Sequence, residues 1–279
     1  KKKFPLVLAA VIAALGVTAA AVYAIQWNGK MAERFGADER QQNQLASDGA
    51  LGSVDQSATE NGLTVTALQT LGDRNGVYVL FDVKAPEGIA LSDENWFSPN
   101  VTVGGEAVSW TGSFMSSRDK TASPSGAANE RYFELWLNNS GQEDWNGKTI
   151  TVSFGELLAP NGTEKPEIVA AGPWKLSWAL SYLDRTRTLR LDGTYEINGR
   201  DVTVDSLELS PLSMTLHLGG SGLGQLIAHS DLDECGCLLV PVLKLRDGTE
   251  FPLSGGPGGE KYTDTGYTLT RSFENILDV

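Results

Sequence analysis

Three hydrophobic periods follow one another along the chain. Phe4 to Ile25 carries no charged residue, and only Thr18 and Tyr23 bear a polar group. As a helix this run spans about 33 Å, enough for a hydrocarbon core of about 30 Å. Residues 28–48 have a helical period: Met31, Ala32 and Phe35 share a face, Asp38 is placed to cap a second helix over Glu39–Ala46, and Asp48-Gly49 ends it. This reads as a short helical stalk, a polar spacer between membrane and body. From Ser57 the period becomes two. Leu63, Val65 and Ala67 alternate with Thr64, Thr66 and Leu68; beyond the turn residues Gly72 to Gly76, Val77, Val79, Phe81 and Val83 alternate with Tyr78, Leu80 and Asp82. That pattern predicts a hairpin with one buried face.

Further strands are predicted at Val101–Val103, Val108–Phe114, Tyr132–Leu137 and Thr149–Phe154. After Ala170-Ala171-Gly172-Pro173 a second series runs over Trp174–Leu183, Thr186–Leu191, Val202–Leu209, Ser213–Leu218, Leu238–Leu245 and Tyr267–Phe273. Short strands between Gly, Asn, Pro and Ser clusters suggest β-sandwiches. The expected organisation is mainly β: a transmembrane helix over 1–25, a stalk over 26–56, and two Ig-like β-sandwich domains over 57–172 and 173–279. The halves also echo each other, since Asn61-Gly62 and Asn198-Gly199 each precede an alternating Thr/Val strand. An echo this short fits either an internal duplication or the common alternation of Thr and Val.

Charge gives the predicted membrane span a direction. Lys1, Lys2 and Lys3 precede it and the other flank is uncharged until Lys30, so the N-terminus is expected in the cytoplasm and residues 26 onward outside. The competing reading is a cleaved signal peptide ending at Val22-Tyr23-Ala24; the run exceeds the usual h-region of about 7–15 residues, which favours the anchor. Because the chain begins at Lys1 without a Met, a preceding cytoplasmic part is expected. The whole chain has 22 basic and 35 acidic residues, net −13. That balance argues against nucleic acid and anionic membrane surfaces as partners.

Candidate chemistry is sparse. Only His217 and His229 offer imidazole, no Ser lies in a Gly-x-Ser-x-Gly elbow, and Gly219 to Gly224 lacks the Lys-Ser/Thr of a phosphate loop. An enzyme is not expected, nor is a cofactor. Asp231, Asp233 and Glu234, and the pair Glu143 and Asp144, read as solvated turns because the 12-residue calcium-loop pattern is absent. Asn100, Asn138 and Asn161 open glycosylation sequons, which matter only in a eukaryotic secretory pathway. Cys235 and Cys237 are the two thiols, and three readings of them stand side by side. A strained, reducible disulfide can form if Gly236 turns the backbone. Zinc with His217 and His229 departs from the usual spacings. Plain packing at the start of a strand is the third reading.

Trp27 with Ala32-Glu33-Arg34-Phe35-Gly36, the run Ser57 to Val65, and Gly72-Asp73 leading to Val77-Tyr78-Val79-Leu80-Phe81 resemble the bacterial membrane proteins of the domain-of-unknown-function 4179 family. Leu207 to Leu216 and Leu245 to Glu250 are similar to the second exported domain that often accompanies it. The resemblance covers most of the chain from the anchor onward, through turn-and-strand signatures. It implies a Gram-positive, single-pass membrane protein regarded as an anti-sigma factor, whose cytoplasmic segment holds a sigma factor of the extracytoplasmic-function type. It carries over no catalytic residues. Two functions follow as expectations: a signalling regulator that responds to an unknown envelope ligand, or a cell-surface binding or adhesion module with no cytoplasmic role.

Overall fold

The computed structural model describes residues 26–116, 128–139, 143–162, 165–197, 200–220, 223, 242–244, 248, 250–252, 258–263 and 266–277. The expected span Phe4–Ile25 lies outside them, as do Cys235, Cys237, His229, Asp231, Asp233 and Glu234. Among the described residues no helix is long and apolar enough to cross a membrane.

Two helices open the described chain. In α1 (Gly29–Phe35) the Asn28 side chain accepts from the Lys30 amide, and Gly36 ends the helix with φ +58°. In α2 (Glu39–Ser47) Asp38 and Gln41 form a reciprocal capping box. These helices are not a spacer, which corrects the stalk reading. Met31, Phe35 and Leu45 are buried in one cluster with Leu71, Tyr78, Leu80 and Trp136. The physical reason lies in the strand that receives them: its second face is as apolar as its first, so it needs a cover too. Each large side chain buried in this way stabilises the contact by about 1.5–3 kcal/mol.

The first half contains β1 (Leu51–Glu60), β2 (Leu63–Asp73), β3 (Gly76–Lys84), β4 (Trp96–Phe97), β5 (Asn100–Val103), β6 (Glu106–Ala107), β7 (Ser109–Phe114), β8 (Glu130–Asn138), β9 (Thr149–Phe154), β10 (Leu157–Ala159), β11 (Glu167–Ala170) and β12 (Trp174–Ala179). One sheet has the order β1-β2-β3-β8-β7; opposite it lie β12-β9-β5-β6 and β11-β10-β4. Between them Phe81, Phe97, Phe133, Phe154 and Trp174 are packed, with Phe97–Phe154 centroids 4.8 Å apart and Phe81–Phe154 in edge contact at 5.1 Å. The expected hairpin is β2–β3, buried on both faces where one was expected, because α1 covers Tyr78 and Leu80.

The boundary expected at residue 172 is also corrected. Strand β12 pairs with β9 from Trp174↔Phe154 to Ala179↔Thr149, and the fully buried Trp174 indole donates to the Leu63 carbonyl at 2.9 Å. The Gly-Pro cluster is turn chemistry inside the first unit, which continues through Tyr182. The start of β1 likewise precedes the expected start of the body at Ser57.

The second half contains β13 (Arg187–Ile197), β14 (Arg200–Leu209), β15 (Ser213–Gly219), β16 (Val242–Lys244), β17 (Glu250–Pro252), β18 (Gly258–Tyr262) and β19 (Gly266–Ser272). Its sheet has the order β13-β14-β15-β19-β18, beside a β16–β17 ribbon. One face carries Val202, Leu218, Tyr267 and Leu269; the other carries Glu208, Ser213, Thr215 and His217. The chain is thus mainly β. Among the described residues the second half shows one five-stranded sheet and a two-stranded ribbon.

The two five-stranded sheets repeat each other. Both have a bulge in the first strand centred on an Asp at positive φ, Asp55 (+52°) and Asp192 (+42°). Both have a second bulge at the same relative position, between Ala67 and Gln69 in one and Val204 and Ser206 in the other. Asp73 and Ser210, which close the second strand in each, are 137 residues apart, and the same separation relates the bulges. The short echo around the two Asn-Gly pairs is therefore one piece of a structural repeat. In the first repeat Asn61 and Gly62 both have positive φ, as the tight hairpin turn requires.

Candidate functional site

Two features stand at the junction of α1, the first sheet and the second half. The first is a cleft. Its floor is the outer face of the first sheet, where pleating brings Tyr78, Thr111, Ser113, Glu134 and Trp136 to the same side. The close approach of β7 to β8 uses Gly112, where a Cβ would lie 2.8 Å from the Glu134 carbonyl oxygen. Arg34 and Phe35 of α1 form one wall, and Ser272 and Phe273 form the other. A second hollow abuts it, lined by Glu33, Met115 and Glu274, and each has a volume of about 260 Å³.

The partition between the two hollows is an ion pair. Arg34 Nε donates to Glu134 Oε2 at 2.5 Å, the Tyr78 hydroxyl donates to the same oxygen at 3.2 Å, and Ser113 Oγ reaches Oε1 at 3.5 Å. Arg34 Nη1 also donates to the Glu274 carbonyl, and its guanidinium lies 5.4 Å from the Phe35 ring centre. Burial works against the Arg34 charge, and Glu134 more than offsets it, so the guanidinium is held charged. Burial, then the neighbouring carboxylate, pushes the Tyr78 phenol well up. Glu134 is thereby a clamp between α1 and the sheet, with its oxygens already engaged by donors. The Ser272 hydroxyl oxygen is buried in the wall without a hydrogen bond among the described residues. Aromatic walls with a few polar groups suit the binding of a small ligand.

The second feature is a buried polar joint between the halves, built where the β2–β3 turn meets the β14–β15 turn. Asp73 Oδ1 accepts from the Asn75 and Gly76 amides, at 2.8 and 3.1 Å. Its Oδ2 accepts from Ser210 Oγ and Ser213 Oγ, at 2.5 and 2.6 Å. Asn75 Nδ2 donates to Ser213 Oγ, and Thr215 Oγ1 donates to Asn75 Oδ1. Desolvation raises the Asp73 carboxyl above its ordinary value, against the pull of the two serines. Outside this knot Arg74 donates to Asp184 at 2.9 Å and to Glu208 at 3.4 Å. Partial burial works to raise Asp184, but bonds from Thr186 and Arg74 outweigh it and hold it low.

Of the residues singled out in the sequence, His217 enters the edge of this joint. It is half-buried, with Nε2 3.6 Å from Glu208 Oε1 and Nδ1 3.4 Å from Thr268 Oγ1. Glu143 is exposed, and the Lys148 ammonium at 2.7 Å holds it below the usual carboxylate range. Asn138 donates to the Gly258 carbonyl, while Asn100 and Asn161 are exposed. At Gly219 a Cβ would lie 2.8 Å from the Asp205 carboxylate, an acidic neighbour that disfavours phosphate there. Among the described residues no group of three or more His, Cys, Asp or Glu converges as metal ligands do. The sequence pattern reads Gly72 to Gly76 as a plain turn and assigns Arg34, Glu134, Ser210 and Ser213 no chemistry of their own. Each is polar in an otherwise apolar or turn setting, and only the tertiary contacts give them partners.

No known family model matches the chain, and no curated protein matches it. A solved structure described as "the conserved domain protein from Bacillus anthracis" is similar to it, with a TM-score of 0.54 and 14% identity over 80% of this chain and 72% of that one. The likeness is one of fold.

Proposed function

We propose that the chain is a membrane-anchored regulator of anti-sigma factor type, similar to the domain-of-unknown-function 4179 proteins. In this reading Phe4–Ile25 is a single-pass anchor in the cell membrane, and the β units stand outside as Ig-like modules. Their state passes through the anchor to an extracytoplasmic-function sigma factor held by a cytoplasmic segment ahead of Lys1. The protein is then a binding and relay device rather than an enzyme, working without a cofactor and without nucleic acid.

The observation that carries this reading is the tight seating of the residues that follow Ile25. Gln69 Nε2 donates to the Gln26 carbonyl at 2.5 Å, the Asn28 amide donates to Gln69 Oε1 at 2.8 Å, and the Trp27 indole donates to the Gln42 carbonyl at 2.9 Å. Met31 and Phe35 then lock α1 onto the sheet. A ligand moves an equilibrium only by preferring one of two states. Such a shift is felt in an adjoining segment when the connection is stiff. The cleft around Arg34 and Glu134 borders this connection and is the place for an envelope ligand.

The test inserts a flexible Gly-Ser segment of about six residues between Ile25 and Gln26 of the full-length protein. The expected result is that a sigma-dependent reporter responds to the insertion as it does to deletion of the gene. Membrane location by protease shaving of intact cells and co-purification of the sigma factor stay unchanged. A reporter indifferent to both changes, with no sigma factor recovered, identifies a surface binding or adhesion module instead. Recovery of the body in the medium with its N-terminus near Ile25 overturns the anchor.

A further inference from the structure

An edge strand exposes unpaired backbone donors and acceptors, and natural proteins blunt such edges with charge, bulges or cover. The two repeats differ here. The segment after β12 lies along the start of β1: the Leu183 amide donates to the Gly49 carbonyl at 2.8 Å, Arg185 Nε donates to the Asp48 carbonyl at 3.0 Å, and the Ser181 carbonyl oxygen lies 2.7 Å from a Cβ position on Gly52. Among the described residues no segment lies in this way along β13, the counterpart of β1, and β13 pairs only with β14. Yet β13 is the more apolar of the two: Leu189 is 48%, Leu191 47% and Tyr195 55% exposed. Leu189 stands opposite Leu207 and Tyr195 opposite Val202, so both extend the sheet's apolar face to its open rim. The Tyr195 ring covers Gly193, where a Cβ would lie 2.7 Å from Cε2.

Charge along this strand is segregated. Arg187 and Arg190 precede the bulge; Asp192 in the bulge and Glu196 beyond it are acidic. All four are exposed, and no ion pair engages them among the described residues. An occupant of this edge must be acidic where β13 is basic and basic where β13 is acidic. On the polar face, where Arg190 lies opposite Ser206 and Glu196 opposite Asp201, the sequence of β13 run antiparallel brings Arg190 toward Glu196, whereas parallel pairing sets like charges together.

We infer that β13 is a self-association edge, through which two copies of the chain pair antiparallel across a two-fold axis and join their second-half sheets into one. Such an isologous contact brings Arg190 and Glu196 together twice and covers Leu189, Leu191 and Tyr195. The relay proposed above does not require it, and it does not require the relay.

The test uses the full chain in detergent micelles, with mass measured by sedimentation. Wild type is expected as a dimer. R187E/R190E makes the strand acidic throughout and T194K/E196K makes it mostly basic. Each variant alone is expected to dissociate roughly tenfold or more readily, and an equimolar mixture is expected to restore the dimer as a heterodimer. A monomeric wild type overturns the inference, as does a mixture that stays monomeric. Dimers that persist in both single variants place the contact elsewhere and overturn it too.

Discussion

The two repeats are built on one strand plan and covered in opposite ways. The first sheet is enclosed on both faces: α1 and α2 lie on Tyr78, Leu80 and Trp136, and a second sheet lies on Val77, Val79 and Phe81. Strand β3 therefore reads as a nearly continuous apolar run. The second sheet has an apolar face with Leu216 and Leu218 and a polar face with Thr215 and His217, and β15 alternates accordingly. The same order and the same bulges thus serve a buried layer in one case and an amphipathic layer in the other. What differs is the side chain at each matched position, Tyr78 against Thr215 and Leu80 against His217 at the common spacing of 137.

Matched large-to-small substitutions probe this comparison most strongly. Phe81→Ala, in the enclosed aromatic core, is expected to cost about 3–5 kcal/mol, and its counterpart Leu218→Ala about 2–4 kcal/mol. Denaturant unfolding followed by tryptophan fluorescence and by circular dichroism measures both. If the joint couples the halves, each variant shifts one common transition; two separate transitions would break the coupling.

The next largest effect belongs to the joint. Asp73→Ala removes the acceptor of two hydroxyls and two amides, and is expected to cost about 3 kcal/mol and to split the unfolding transition. The sign of its pH dependence follows from the raised carboxyl. A group whose pKa is higher in the folded state contributes stability that is full below its unfolded pKa and is lost as pH rises through the folded value. Asp184, held low, contributes in the opposite sense: its stabilisation is present above the ordinary carboxylate range and lost as pH falls. The difference in unfolding free energy between wild type and Asp73→Asn, followed upward from about pH 4, is therefore expected to shrink with rising pH. Growth of that difference would mean that Asp73 is stabilised as the anion.

The smallest effect is expected at Arg74. Its bonds to Asp184 and Glu208 are partly exposed, so Arg74→Met should change stability by no more than about 1 kcal/mol and leave the joint closed. A larger loss would shift the weight of the joint from the buried knot to its rim.

How much of this was legible in the chain depends on the range of the interaction. Period-two patterns identify β2, β3, β5, β7, β8, β9, β12, β14, β15 and β19, because each strand's alternation is local. The helices were legible through Asp38 and the Met31–Phe35 spacing, but their destination was not, since nothing local says that Tyr78 and Leu80 need a cover. Pro173 looked like a domain boundary because turn chemistry is the same inside a domain as between domains. The repeat was visible only at the Asn-Gly turns; elsewhere it survives as backbone irregularity, in Asp55 and Asp192, which sequence comparison does not weigh. The cleft and joint were the least legible, because Arg34 and Glu134 are 100 residues apart and Asp73 and Ser210 farther still.

Asp73 meets Ser210, which is its own counterpart in the other repeat. In separate molecules such a contact would form only above its dissociation constant. One continuous chain makes the encounter intramolecular, at an effective concentration on the order of millimolar for short flexible connections. The joint can therefore be small and polar and still persist at any dilution of the protein.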